Sequence, residues 1–118
     1  HYPLRRQRQM CIRDRFLHDE LTYFGDALTA DGVVANLTDL GERVPDLRWE
    51  VKELAVDGDR LAARLVDTGT PAKEWLGVDP TGASFEVIEY AVYEIRDGRF
   101  LHMTNVFDSE ALRKQLSS

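Results

Sequence analysis

The spacing of apolar residues changes along the chain and predicts where a helix gives way to strands. Between Thr29 and Pro45 the apolar residues recur every three to four positions, as Val33, Leu37 and Leu40 illustrate. This period is typical of an amphipathic helix, and Thr29 and Pro45 suit its beginning and end. We therefore predict a helix of three to four turns in this stretch.

From Leu47 onward apolar and polar residues alternate, which predicts β-strands. The alternation changes phase near Glu53, since Leu54 and Val56 fall on the face opposite to Val51. One extra residue in a bulged strand produces such a change. Bulges of this kind occur in curved sheets.

Three more long strands and a final helix follow in sequence. Asp57-Gly58-Asp59 and Asp97-Gly98 are typical of tight turns between antiparallel strands. Asp108 or Ser109 suits the cap of a last short helix. The predicted elements are a brief strand at Leu21 to Tyr23, strands at Arg60 to Thr70, Ser84 to Ile95 and Arg99 to Val106, and a helix ending at Leu116.

This order predicts an α+β fold in which a strongly curved antiparallel sheet has helices on its concave side. Something apolar must fill that side. The connection of about thirteen residues between Thr70 and Ser84 is long enough to cover an opening, and it contains Trp75.

Residues 1–15 do not match the rest of the chain. They lack helical or strand periodicity and hold five arginines and one aspartate. Their reverse translation resembles the read adapter of a transposase-based sequencing library. We interpret residues 1–15 as a non-native, adapter-derived segment and residues 16–118 as one domain.

The charge excludes several classes of partner. The whole chain carries 15 basic and 21 acidic residues, so residues 16–118 retain 10 and 20, a net charge of -10. Such a domain has no electrostatic footprint for nucleic acid and is repelled by an anionic membrane. The single cysteine, Cys11, lies in the adapter segment, so no disulfide or cysteine metal site is expected. A cytoplasmic location is the default expectation.

Four motifs occur in an order and spacing that identify a family. They are Pro45-Asp46-Leu47-Arg48-Trp49-Glu50-Val51, Asp57-Gly58-Asp59-Arg60, Glu74-Trp75-Leu76-Gly77-Val78-Asp79-Pro80-Thr81-Gly82 and Arg96-Asp97-Gly98-Arg99. Together they resemble the SnoaL-like polyketide cyclases. The bacterial ester cyclases among them are the most similar, through the segments 19–23 and 89–93 and the helix that follows Asp108.

The resemblance implies the cone-shaped α+β barrel of the nuclear transport factor 2-like superfamily, paired as a homodimer through the outer face of its sheet. It also implies a long first helix, which the adapter segment would have replaced here. Part of Leu4 to Arg15 should nevertheless form a helix, since Arg, Gln and Met are good helix formers.

The family's cyclases close a ring by aldol chemistry without a metal or organic cofactor. They use an acidic residue on the last strand and a histidine on the preceding strand. Counting from Asp97-Gly98 places Ala91 at the histidine position and Asn105 at the acid position. Neither can act as a general base, although an amide can donate a hydrogen bond to an enolate oxygen.

Glu89 is the candidate catalytic base, with Asn105 as its partner. Alternation places Glu89 on the face shared with Phe85, Val87 and Ala91, where desolvation would raise the pKa of a carboxylate. The alternative is that Glu89 pairs with a nearby arginine such as Arg64, or lies on the outer face.

The remaining candidates are ligand-binding residues. Tyr23 and Tyr93 can supply phenolic hydrogen bonds, although a buried tyrosine more often has a structural role. Asp67 could also enter the pocket, whereas His18 and His102 show no metal spacing. The predicted substrate-binding set is Tyr23, Trp49, Leu65, Trp75, Phe85, Val87, Ala91, Tyr93 and Met103.

Two functions remain open at this point. The first is an enzyme that moves protons on a small, largely apolar carbonyl compound, in the manner of a cyclase, isomerase or hydrolase. The second is a non-catalytic module that binds a small molecule or dimerises. A fold of this kind hosts many activities, so the sequence does not choose between them.

Overall fold

The structure, a computed structural model, describes residues 16–117. The proposed adapter segment and the helix expected within it lie outside the described residues. The elements are β1 Leu17–Tyr23, β2 Asp26–Thr29, α1 Ala30–Arg43, β3 Arg48–Asp57, β4 Arg60–Gly69, β5 Phe85–Arg96, β6 Arg99–Phe107 and α2 Ser109–Ser117. The α+β class predicted from the sequence is confirmed.

Two-residue turns set the strand pairing of two hairpins, β1–β2 at one edge of the sheet and β5–β6 in its middle. Phe24 and Gly25 both have positive φ angles (53° and 84°), as do Asp97 and Gly98 (55° and 76°). Two successive residues in this region make a type I′ turn, whose twist matches that of a hairpin. The first turn adds β2, a four-residue strand that the sequence reading had left out.

The bulge predicted near Glu53 is confirmed. The β3–β4 register shifts between Val51 and Glu53, so that Lys52 is the extra residue. Val51 and Leu54 then both pair with residues of the same face of β4, Leu65 and Ala63. The bulge therefore keeps Val51 and Leu54, which lie on either side of it, on the same face of the sheet.

The six strands form one sheet in the order β2-β1-β6-β5-β4-β3. Pairing is antiparallel except between β1 and β6, which run parallel. The sheet is therefore mixed and open, with β2 and β3 at its edges, rather than antiparallel throughout as expected. The difference arises because β1 joins the sheet beside β6, its most distant strand in sequence.

Both helices pack on one face of the sheet. Val44 at the end of α1 and Leu112 of α2 join Phe85 and Val87 in a buried cluster. Asp108 caps α2, since its Oδ1 accepts a hydrogen bond from the Ala111 nitrogen at 2.9 Å. Neither helix within residues 16–117 is long and apolar enough to cross a bilayer.

Gly69 allows the end of α1 to approach the sheet closely. A Cβ atom at this position would lie 2.6 Å from Val44 Cγ1 and 3.2 Å from Phe85 Cε1. Any larger residue would therefore push α1 away from the sheet.

The connection between β4 and β5 folds back over the helical face. Trp75 and Val78 form a small bridge, and the Trp75 ring lies 5.2 Å from that of Phe85. Arg43 at the end of α1 donates to a Glu74 carboxylate oxygen at 2.9 Å. The loop is thus attached to α1 and places Trp75 over the sheet.

Candidate functional site

A cavity of about 620 Å³ lies between the sheet and its covering elements. Apolar and aromatic side chains surround it. They come from both helices, the β4–β5 loop and all six strands. Ten of the eleven residues predicted from the sequence line this cavity: Tyr23, Trp49, Leu65, Trp75, Phe85, Val87, Glu89, Tyr93, Met103 and Asn105. The sequence pattern thus located the side chains of one pocket.

Ala91 is the exception. It is only 2% exposed and pairs with Ala63 on one side and Asn105 on the other. Its methyl group is too short to extend past these neighbours, so it is packed into the wall without reaching the cavity. Ala91 is thus not among the residues that line the cavity, and its contact with a ligand stays a prediction.

A chain of hydrogen bonds crosses the cavity wall from β1 to β5. Tyr23 donates its phenolic hydrogen to Asn105 Oδ1, and Asn105 Nδ2 donates to Glu89 Oε2 at 2.9 Å. The amide orientation is fixed because an ionised carboxylate only accepts and an amide oxygen only accepts. Asn105 therefore joins the phenol to the carboxylate.

Glu89 is buried, with 7% of its surface exposed, and faces the cavity. The alternative partner Arg64 lies elsewhere, since its guanidinium donates to Glu53 Oε1 at 2.9 Å on the opposite face of the sheet. Among residues 16–117 no lysine or arginine lines the cavity. The Glu89 carboxylate is held by neutral donors instead of a counterion.

Asp67 on β4 places a second carboxyl group beside Glu89. Asp67 is 6% exposed and lines the same cavity. Burial, then a hydrogen bond with Glu89 and the charge of Glu89, raise the pKa of Asp67 to about 8. The two carboxyl groups therefore hold a proton between them at neutral pH.

Burial and the charge of Glu89 also raise the pKa values of two tyrosines that line the cavity. Burial and the Glu89 carboxylate raise the pKa of Tyr23, against a smaller lowering by its bond to Asn105. Burial and the charges of Glu89 and Asp67 raise the pKa of Tyr93. Both phenols are protonated near neutral pH and available as hydrogen-bond donors.

Sequence reasoning missed three cavity residues on β6, namely Phe100, His102 and Phe107. His102 lines the cavity and forms a hydrogen bond with Thr22 of β1. Phe100 also lines it and stacks 5.0 Å from Tyr93. A register shift between Glu94 and Ile95 moves Phe100 to the cavity face, and this irregularity carries no signal in the alternation of β6.

The arrangement suits proton transfer in an apolar environment. Two carboxyl groups, an amide and phenols all line one cavity. Carboxyl groups placed in this way can serve general acid and base catalysis. Among residues 16–117 no group of three or more histidine, cysteine or acidic side chains is arranged to hold a metal ion.

Known structures share this fold. A SnoaL-like polyketide cyclase from Agrobacterium tumefaciens superposes with a TM-score of 0.82 and 26% identity, over 94% of this chain and 87% of that one. IdmH, a candidate polyketide cyclase from Streptomyces antibioticus, gives 0.81 and 22%, over 95% and 89%. TsrD from Streptomyces laurentii gives 0.80 and 24%, over 98% of both chains.

At the level of sequence, no protein with curated function matches this chain significantly. The profile of the SnoaL-like polyketide cyclases matches residues 6–116. That range includes every described element, the cavity and both carboxyl groups. The chain therefore belongs to the SnoaL-like polyketide cyclase family.

Proposed function

We propose that this protein is an enzyme that moves protons on a small, largely apolar carbonyl compound, in the manner of a cyclase, isomerase or hydrolase. The observation that carries the proposal is the buried Glu89 carboxylate, which Asn105 holds within an apolar cavity. Because Glu89 lines the cavity, its carboxyl group can take up a proton from a ligand held there.

In the first step Glu89 removes a proton from the carbon next to the carbonyl. The electron pair of the broken C–H bond forms a C=C bond, and the carbonyl π pair moves to oxygen. Asn105 can orient that oxygen with the second hydrogen of its amide nitrogen, and Tyr23 can do so when its O–H turns away from Asn105 Oδ1. Neutral donors placed where negative charge develops stabilise the enolate.

A non-catalytic binding module is the second candidate. It is favoured by Ala91, which is buried opposite Asn105 where the family's cyclases have a histidine and an acid. Under this alternative the cavity holds an apolar ligand and Glu89 serves affinity or stability.

The exchange of α-protons of 2-tetralone in D₂O separates the two candidates. This ketone is small, apolar and readily enolised, and ¹H NMR follows the loss of its α-proton signals. The full chain should accelerate exchange, and Glu89→Gln should reduce the rate by at least ~100-fold with an unchanged melting temperature. Glu86→Gln, on the exposed face of the same strand, is the matched control.

Exchange that survives in Glu89→Gln would contradict the proposed base. Binding of 2-tetralone without any acceleration of exchange would favour the non-catalytic module.

We also propose that the protein forms a homodimer through the outer face of its sheet. Four large apolar residues project there from β5 and β6, and between 43% and 63% of each is exposed: Ile88, Tyr90, Val92 and Val106. Large exposed apolar patches commonly mark protein interfaces.

A further inference from the structure

The cavity contains a second carboxyl group that the Glu89 mechanism does not use. Asp67 pairs with Val87 across β4 and β5, and Leu65 pairs with Glu89. Asp67 and Glu89 are therefore diagonal neighbours on the cavity face of adjacent strands. Both are more than nine-tenths buried.

The two carboxyl groups have different environments. Glu89 Oε2 receives a hydrogen bond from the Asn105 amide, which stabilises a negative charge. Asp67 Oδ1 is fully covered and has no hydrogen-bond partner among the described residues. Because an unpartnered buried oxygen is far less costly on a neutral acid than on a carboxylate, the proton belongs on Asp67.

Among the titratable groups that line the cavity, Glu89 is the one whose charge and hydrogen bond act on Asp67. The groups that line the same cavity are Glu89 and Tyr93 on β5, Tyr23 on β1 and His102 on β6. The partner of Asp67 on β3 is Trp49, which does not titrate. Glu89 is thus the group with which Asp67 exchanges a proton.

We infer that Asp67 is the general acid that complements Glu89 and gives its proton to the carbonyl oxygen of the substrate. This inference rests on the proposed function and adds a second catalytic residue to it. The pair begins a turnover with one proton, and it ends with one.

The bonds and protons of this step balance. Glu89 takes the α-proton as the C–H bond breaks, and the electron pair of that bond forms the C=C bond of an enol. The carbonyl π pair moves to oxygen, and Asp67 gives its proton to that oxygen. The pair is then Glu89 acid and Asp67 carboxylate. Transfer of the proton from Glu89 to Asp67 restores the starting state, so the substrate leaves as an isomer of itself.

The pairing is tested first without any substrate. In the full chain labelled with ¹³C at the aspartate carboxyl carbons, one resonance should titrate above pH 7 and should be absent in Asp67→Asn. In Glu89→Gln the same resonance should titrate at lower pH, because a charge and a hydrogen-bond partner are lost. Asp79→Asn, in the exposed loop, should leave the resonance unchanged.

The catalytic role is tested with 2-tetralone exchange. Asp67→Asn keeps an N–H donor beside Glu89 but carries no transferable proton, so the exchange rate should fall on the order of 100-fold. The wild-type rate should decline above about pH 8, and this decline should vanish in Asp67→Asn.

The outcomes separate the two proposals. If the pKa of Asp67 lies in the ordinary range of carboxyl groups, the shared proton of Asp67 and Glu89 is contradicted, whatever the exchange rates are. If Glu89→Gln abolishes exchange while Asp67→Asn keeps both the rate and its pH profile, Glu89 remains the base and the role of Asp67 as acid is overturned. If the wild-type chain does not accelerate exchange, the proposed function fails together with this acid role, while the carboxyl titration still decides whether the pair exists.

Discussion

Asn105 donates a hydrogen bond from Nδ2 to Glu89 Oε2 at 2.9 Å and accepts one from Tyr23 on its other side. A single amide thus satisfies a buried acceptor and a phenol on two different strands. The bond from Tyr23 depends on the parallel pairing of β1 with β6, which brings Tyr23 opposite Met103, two residues from Asn105. The bond to Glu89 depends on the antiparallel pairing of β5 with β6, which brings Ala91 opposite Asn105.

Replacement of Asn105 by leucine should destabilise the protein by about 1–3 kcal/mol, the usual cost of leaving a buried polar group without its partner. Urea denaturation would measure the free energy of unfolding. Asn36→Leu makes the same chemical change at an exposed residue of α1 that lines the same cavity, and it should cost much less. Equal effects of the two substitutions would show that the amide bridge contributes little.

The stability of the protein should fall as the pH rises from about 4 to about 8. The pKa of Asp67 rises from 3.8 to about 8 on folding, so the folded state binds more protons than the unfolded state between those values. Below this window the stabilisation is fully present, and above about pH 8 it is lost. Asp67→Asn should remove this part of the pH dependence.

At pH 9 the Asp67→Asn chain should be more stable than wild type by about 1–3 kcal/mol, since it has no buried charge to leave unpaired. Urea denaturation at pH 5 and pH 9 of wild type, Asp67→Asn and Asp79→Asn provides the comparison. A pH dependence unchanged in Asp67→Asn would contradict the raised pKa.

Gly69→Ala should destabilise the protein by about 1–3 kcal/mol through overpacking. The added Cβ would lie 2.6 Å from Val44 Cγ1, and Val44 is only 1% exposed and cannot move aside. If the clash is the cause, the double variant Gly69→Ala with Val44→Ala should lose less than the sum of its single variants. Additive losses in urea denaturation would point to a different origin.

The proposed dimer should dissociate when charge is placed on the outer face of the sheet. Light scattering during gel filtration should give a dimer mass for wild type and a monomer mass for Ile88→Lys with Val106→Lys. Leu54→Lys with Val56→Lys changes equally exposed apolar residues of β3 and should leave the dimer intact. A monomeric wild-type protein would end the proposal.

The sequence predicted the local features of the fold and most of the cavity wall. The helix that begins after Thr29, the turn at Asp97-Gly98 and the bulge at Lys52 each depend on neighbouring residues, so their signals are contained in short segments. The alternation in β5 likewise placed Glu89 among apolar neighbours because the period of a strand is two.

The features that were missed depend on distant parts of the chain. The pairing of β1 with β6 joins segments some eighty residues apart, and nothing local indicates it. The alternation of β4 allowed Asp67 to enter the pocket, but it did not predict the burial of Asp67 beside Glu89, because the elements that cover Asp67 come from elsewhere in the chain. Burial of a polar group is a property of the assembled fold.

The open sheet described above leaves β3 as an edge strand, and every one of its ten residues is exposed. Such an edge presents unpaired backbone groups that can recruit a strand from another molecule. Along β3 the residues Arg48, Glu50, Lys52 and Glu53 place charges between the apolar positions. These charges, with the bulge at Lys52, disfavour the pairing of β3 with an edge strand of another molecule.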